Sequence, residues 1–268
     1  MRKISKTILS LLLVSIVTIA PVTVHGSSAN SSSYEKIYAS LPYDVQQKIG
    51  SIPIQDIKEL ELEGANITNV TWLKHFPNVE KINLSHTQVK SLKGMPKKLP
   101  YLKTLNLSST PITTLKGMST SLPSLTHLNL RDTKQLKSLE GMPKYLTKLL
   151  YLNLDGTTFT KLKGLPKKLP NLNELRLKES KIDTLEGLPA DLSKLEYLSL
   201  NQSAIRSLKG APTVLPNLKE LNVSESGISS LKGLPKTLPK LVQLDLRDTE
   251  IRSTKGVVIP KACCVYWQ

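Results

Sequence analysis

The sequence predicts an α/β solenoid whose repeats stack into one long parallel β-sheet, and two observations support this fold. A motif of about 23 residues recurs nine times between residues 57 and 262, at intervals of 22 to 24 residues. Within each copy, apolar residues alternate over a short segment, as they do in a strand with one buried face. So strict a period is typical of stacked repeats. The copies begin at Ile57, Val79, Leu102, Leu125, Leu149, Leu172, Leu195, Leu218 and Leu241.

The first half of each copy follows the pattern L-x-x-L-x-L, which predicts the strand. In the third copy, Leu105 and Leu107 fall on one face of the strand and Asn106 falls on the other. A single strand cannot bury its own leucines. Stacked copies can bury them, because their strands pair in parallel while the rest of each unit returns the chain to the next strand.

The second half of each copy contains a recurrent glycine, and in six copies a proline follows it two residues later. Glycine at a fixed position indicates a turn with positive φ or a close approach of two backbones. Proline disfavours a long helix, so this return segment is predicted to be a short helical or 3₁₀ turn, or irregular. The glycines are Gly94, Gly117, Gly141, Gly164, Gly187, Gly210, Gly233 and Gly256.

This pattern resembles the leucine-rich repeat family over residues 57–262. The resemblance implies a curved horseshoe with the parallel sheet on its concave face, and a binding module. One position departs from the family pattern, because hydroxyl residues replace the usual asparagine in all copies but the first. A hydroxyl can satisfy buried loop backbone groups in its place. The residues at this position are Ala65, Thr87, Thr110, Thr133, Thr157, Ser180, Ser203, Ser226 and Thr249.

Residues 1–26 predict a secretory signal peptide, so the protein is expected to be secreted or periplasmic. A basic start that includes Arg2 and Lys3 precedes an apolar run over residues 8–20. The run is shorter than the roughly 20 residues of a spanning helix, although an uncleaved membrane anchor is the alternative. Asn-x-Ser triplets lie in the predicted strands, and glycans there would obstruct the concave face. This favours a bacterial-type source.

The segment after the signal is expected to cover the first repeat. Residues 27–33 are small and polar and predict a flexible leader. Apolar residues then recur every four positions and predict one helix over 34–52, within an N-terminal helical cap at 34–56. The alternative is a truncated F-box-like helix, since Leu41-Pro42-Tyr43-Asp44-Val45 resembles the start of that motif. An exported effector could use it to engage host ubiquitin machinery.

Residues 263–268 predict a C-terminal cap or tail beyond the last repeat. Cys263 and Cys264 are the two cysteines of the chain. Adjacent cysteines have poor geometry for a disulfide with each other, which leaves an intermolecular disulfide, two free thiols or simple burial. Their spacing is also wrong for a metal site.

The chain is strongly basic, with a formal net charge of +16. Lysines directly before the repeat glycine predict a basic ridge on the convex or lateral side, and this ridge could bind an acidic polymer or a membrane surface. The alternative is a solvated face that keeps the protein soluble. Nucleic acid is disfavoured, because aromatic residues make up only 4% of the chain and none interleave with the ridge. The ridge comprises Lys93, Lys116, Lys163, Lys209 and Lys232.

The outward residues of the strands are the predicted partner-binding surface. Four consecutive strands present an asparagine at one level, which indicates either a structural ladder or a recognition strip. Tyrosine and arginine, the residue types that anchor protein interfaces, cluster on neighbouring strands nearby. An exposed tyrosine is also simply a good strand former. The candidate residues are His127, Asn129, Arg131, Tyr151, Asn153, Arg176 and Tyr197.

No signature of an enzyme or of a cofactor site occurs in the sequence. The metalloprotease, hydrolase, phosphate-loop and paired-cysteine motifs are missing, and the four histidines are scattered. The sequence therefore predicts a non-enzymatic protein that binds an unknown protein partner through its concave face and holds neither metal nor cofactor.

Overall fold

The computed structural model describes residues 28–267, so the predicted signal peptide at 1–26 lies outside the described residues. Two helices, α1 (Ser28–Ser40) and α2 (Tyr43–Ile49), come first and are followed by ten strands of three residues each. The strands are β1 Glu59–Glu61, β2 Lys81–Asn83, β3 Thr104–Asn106, β4 His127–Asn129, β5 Tyr151–Asn153, β6 Glu174–Arg176, β7 Tyr197–Ser199, β8 Glu220–Asn222, β9 Gln243–Asp245 and β10 Cys264–Tyr266.

All ten strands form one parallel sheet, and their order in the sheet is their order along the chain. The register pairs equivalent repeat positions, for example Leu105 of β3 with Leu128 of β4. In each of β1–β9 the middle residue is buried, so the repeat leucines form a continuous column behind the sheet. The predicted horseshoe with a parallel concave sheet is therefore confirmed.

The return segments are mostly turns and irregular backbone, as the sequence predicts. The two 3₁₀ helices of the described chain, Ile54–Asp56 and Thr71–His75, lie near its start. In six of the eight copies that have this glycine, neighbouring return segments approach so closely that the glycine is required. At Gly164 the φ angle is 96°, and an added Cβ would lie 2.3 Å from the backbone nitrogen of Glu140.

The hydroxyl position performs the role that the sequence assigns to it. Seven of these side chains donate to the carbonyl three residues earlier, at 2.5–2.7 Å, and all seven are buried. At Thr133, for example, the acceptor is the carbonyl of Leu130, at the turn that follows β4. Ser180 is the exception, because its buried Oγ has no hydrogen-bond partner.

The predicted single helix over 34–52 is wrong, because the structure has two. They are separated at Leu41 and Pro42, since proline cannot donate a helical hydrogen bond and it restricts the backbone of the residue before it. Helix α1 begins at Ser28 and therefore runs through most of the predicted flexible leader, where no proline or glycine interrupts it. Val45 and Ile49 of α2 are buried against the first repeat.

The C-terminal residues form a strand where the sequence predicts a cap or tail. In β10, Cys264 pairs with Gln243 and Val265 pairs with Leu244, so a tenth copy of the strand begins here. The pattern was missed because half-buried Val265 stands where the other copies have leucine or isoleucine. Cys263 and Cys264 are both free thiols in this structure.

Candidate functional site

The concave face is built from two rows of side chains, contributed by the first and last residue of each strand in β1–β9. The register places members of each row side by side on adjacent strands, about 4.8 Å apart. The first row is Glu59, Lys81, Thr104, His127, Tyr151, Glu174, Tyr197, Glu220 and Gln243, and the last row is Glu61, Asn83, Asn106, Asn129, Asn153, Arg176, Ser199, Asn222 and Asp245.

At the centre of this face, His127 and Tyr151 form an aromatic pair. Their ring centroids lie 5.8 Å apart with an interplanar angle of 32°. The Nδ2 of Asn153 donates to the hydroxyl of Tyr151 at 3.0 Å, and His127 Nδ1 lies 2.9 Å from Thr126 Oγ1. The pair is thus held in one orientation while part of its surface stays open to solvent.

Arg176 is anchored next to this pair by a buried carboxylate. Its Nε donates to Asp155 Oδ2 at 3.1 Å, and Asp155 Oδ1 accepts the backbone N–H of Lys178 at 2.7 Å. Burial raises the pKa of the Asp155 carboxyl, and the guanidinium opposes that shift. Burial also works to lower the pKa of Arg176, but the charges of Asp155 and Glu174 raise it overall, so the guanidinium remains charged.

The asparagine row is not a self-paired ladder. In the described residues no side chain of the row donates to another asparagine side chain. Instead, the Oδ1 of Asn129 accepts the backbone N–H of Arg131 at 3.0 Å, and Asn153 does the same with Asp155 at 2.8 Å. Asn83, Asn106 and Asn222 repeat this contact. An asparagine reaches its own loop, two residues ahead, more readily than the next strand.

This arrangement changes the roles of two predicted contact residues. Asn153 is buried, and both its Nδ2 and its Oδ1 are hydrogen-bonded. It therefore orients Tyr151 and stabilises the turn that follows its own strand. Asn129 uses its Oδ1 in the same way but is half-buried. Arg131 is exposed in the loop after β4, where its Nε contacts Asp132 at 3.1 Å. The structure therefore brings His127, Tyr151 and Arg176 together, with Tyr197 one strand beyond Arg176.

The sequence analysis missed residues that precede the strands. A depression of about 530 Å³ borders the aromatic pair, and its walls include Leu150, Asn173 and Glu196. Leu150 is 40% exposed, although most other repeats have a polar residue at this position. Leu150 could therefore have been identified from the sequence, because a large exposed apolar residue next to a tyrosine indicates a contact surface.

Comparisons with known proteins agree with this architecture. A family model described as leucine rich repeat matches residues 77–134. The chain is similar to internalin C2 from Listeria monocytogenes str. 4b F2365, with a TM-score of 0.56 and 20% identity over 81% of this chain and 83% of that one. The repeats, the parallel sheet and these matches agree with one another. The chain has the leucine-rich repeat fold.

A second similar solved structure is that of a TLR13-ssRNA13 complex. It matches with a TM-score of 0.52 and 23% identity, over 80% of this chain and 30% of that chain. At this identity both similarities concern the fold alone. No curated protein matches the sequence.

The predicted ridge of convex lysines is interspersed with two glutamates. All five predicted ridge lysines are exposed, but glutamates occupy the same repeat position in two intervening copies. Glu140 pairs with Lys163 at 2.8 Å, and Glu186 pairs with Lys209 at 2.7 Å. The predicted basic ridge therefore stays a prediction, and the two glutamates between its lysines lower the local positive charge.

Residues 28–267 contain no group of three or more histidine, cysteine, aspartate or glutamate side chains that could hold a metal ion. None of the helices described is long and apolar enough to cross a membrane.

Proposed function

We propose that this protein binds a protein partner on its concave face, with Tyr151, Arg176 and His127 as the main contacts. A leucine-rich repeat fold by itself implies protein–protein interaction. The observation that supports this location is the fixed cluster of aromatic rings and guanidinium on three adjacent strands.

The way the cluster is held favours binding over a purely structural role. Asn153 orients Tyr151 and Asp155 orients Arg176, while both outer side chains keep surface open to solvent. Side chains that are already ordered lose less conformational entropy when a partner arrives. Tyrosine and arginine are also enriched among the residues that carry most of the energy of protein interfaces.

The other predicted functions receive less support from the geometry. Glu140 and Glu186 interrupt the basic ridge, which weakens the case for an extended acidic polymer or a membrane surface. Helix α2 buries Val45 and Ile49 against the first repeat, so its apolar face is occupied and unsuited to docking.

We also propose that the protein is exported, on the strength of the basic start and short apolar run in residues 1–26. The mature chain then begins near Ser27. Mass spectrometry of the native protein tests this expectation, and recovery of an intact N-terminus on a cytosolic protein would contradict it.

Binders selected from a library of short random peptides test the concave-face proposal, because their Kd values can be measured on defined variants. Tyr151→Ala and Arg176→Ala should each weaken these peptides by about thirtyfold, the effect of losing about 2 kcal/mol. The control is Tyr145→Ala with Arg206→Ala, which removes the same residue types from the exposed return segments.

The control variant should bind like the parent protein. Equal losses in the control and the concave variants would contradict the proposal. Binding that survives both concave changes and disappears when Lys93 and Lys116 are replaced by glutamate would place the site on the convex side instead.

A further inference from the structure

The charge of the concave face is opposite to that of the whole chain. Lysine and arginine outnumber aspartate and glutamate by 37 to 21 in the full sequence. The two outward rows of β1–β9, however, contain five carboxylates and only two cationic side chains. The acidic members are Glu59, Glu61, Glu174, Glu220 and Asp245, and the basic members are Lys81 and Arg176.

The two cations of these rows are already paired. Lys81 Nζ lies 2.6 Å from Glu61 Oε1, and Arg176 holds the buried carboxylate of Asp155. The loop residue Arg247 donates to both oxygens of Asp245, at 3.0 and 2.6 Å. The negative charge that remains on the face comes from Glu59 and Glu220, and from Glu174, whose ion-pair partner Arg176 already binds the carboxylate of Asp155.

Glu174 and Glu220 stand on either side of an aromatic ring. The register pairs Glu174 with Tyr197 and Tyr197 with Glu220, so the three side chains lie on adjacent strands about 4.8 Å apart. The nearest cation of Glu174 is Arg176 at 3.7 Å, and within residues 28–267 no ion pair forms at Glu220. A depression of about 200 Å³ opens over these residues.

We propose that the concave face takes a basic segment of its protein partner, with a lysine or arginine side chain seated on Tyr197 between Glu174 and Glu220. This inference rests on the proposed concave-face function and specifies the chemistry of the partner. An aromatic ring attracts a cation to its face, and flanking carboxylates add direct ion pairs. Because the rest of the chain is basic, a basic segment is attracted to this face and repelled elsewhere.

The experiment uses the random peptides that were selected for binding to the full-length protein. Their content of lysine and arginine is compared with that of the starting library. The selected sequences should be enriched in these residues, and their binding should weaken as salt is raised. Glu174→Gln with Glu220→Gln should weaken them about tenfold, since two partly exposed ion pairs with the peptide would be lost. Tyr197→Ala should weaken them further, whereas Tyr197→Phe should retain binding because the ring remains.

A matched control removes two carboxylates from the opposite side of the solenoid. Glu140→Gln with Glu186→Gln changes the net charge by the same amount but should leave the affinity for basic peptides unchanged. An equal loss in this control would mean that overall charge, and not the concave site, sets the affinity, and it would overturn the inference.

The inference and the proposed function fail in different ways. If peptides bind through Tyr151 and Arg176 but are neutral or acidic, and Glu174→Gln with Glu220→Gln has no effect, the inference falls while the concave-face function stands. If the selected peptides ignore Tyr151→Ala and Arg176→Ala altogether, the proposed function itself falls. Tight binding of an acidic peptide at Tyr197 would overturn the inference directly.

Discussion

The concave and convex sides of the solenoid differ in which part of the chain is fixed: the side chains on the concave side and the backbone on the convex side. On the concave side the side chains are fixed, since Asp155 holds Arg176 and Asn153 holds Tyr151. On the convex side the charged side chains are exposed, but the backbone is fixed, because at six of the eight repeat glycines an added Cβ would lie less than 3.0 Å from the main chain of the preceding return segment. Substitutions should therefore be costly for different reasons on the two sides.

The largest effect is expected from the convex backbone at Gly164. Gly164→Ala should lower the free energy of unfolding by about 3 kcal/mol or more, because the new Cβ would overlap the main chain of Leu139 and Glu140. Gly256 has nearly the same φ angle, 95°, but no atom within 4 Å of an added Cβ. Gly256→Ala should therefore cost only the conformational strain of about 1–2 kcal/mol. Urea unfolding measures both, and equal losses would show that close packing is not the constraint.

A smaller loss is expected when a concave anchor is removed. Asp155→Ala leaves the guanidinium of Arg176 and the backbone N–H of Lys178 without their shared acceptor, which should cost about 2 kcal/mol. The matched convex change removes Glu140 and Lys163 together and should cost much less than the loss of Asp155, because both side chains are exposed and solvent screens their charges. A convex loss as large as the concave one would refute the contrast between the two sides.

The smallest effect concerns pH, and it separates two carboxylates of the concave side. Burial raises the pKa of Asp155, so the pH-dependent part of its contribution to stability is fully present below its unfolded pKa of about 3.9 and is lost as the pH rises through the folded value. Hydrogen bonds from Arg247 lower the pKa of Asp245, whose contribution is present above about pH 3.9 and is lost as the pH falls through its folded value.

This difference is tested by measuring the free energy of unfolding of the parent protein and of the two asparagine variants across the acidic pH range. The stability of the parent relative to Asp155→Asn should decrease as the pH rises, and its stability relative to Asp245→Asn should decrease as the pH falls. If the stability difference between parent and variant changed with pH in the same direction for both variants, the two carboxyl groups would not have pKa values shifted in opposite directions.

The local features of this solenoid could be predicted from the sequence because they depend on the spacing of residues along the chain. The period of about 23 residues predicted the parallel sheet, and the alternation of Leu105, Asn106 and Leu107 predicted the buried and outward positions. Backbone capping by Thr133 and its equivalents was also predictable, since the donor and acceptor are only three residues apart. For the same reason, the sequence placed Tyr151, Arg176 and Tyr197 on neighbouring strands of one face.

Only the tertiary structure could decide which partner each polar side chain chooses. Asn153 contacts Tyr151 and its own loop, not the next asparagine, and Arg176 reaches Asp155 of the preceding repeat. Glu140 pairs with Lys163 and interrupts the ridge. The repeat pattern makes every copy look equivalent, but the bonds of each polar side chain depend on the residues that stacking places beside it. That choice among nearby partners, of similar energy, is a property of the packed molecule.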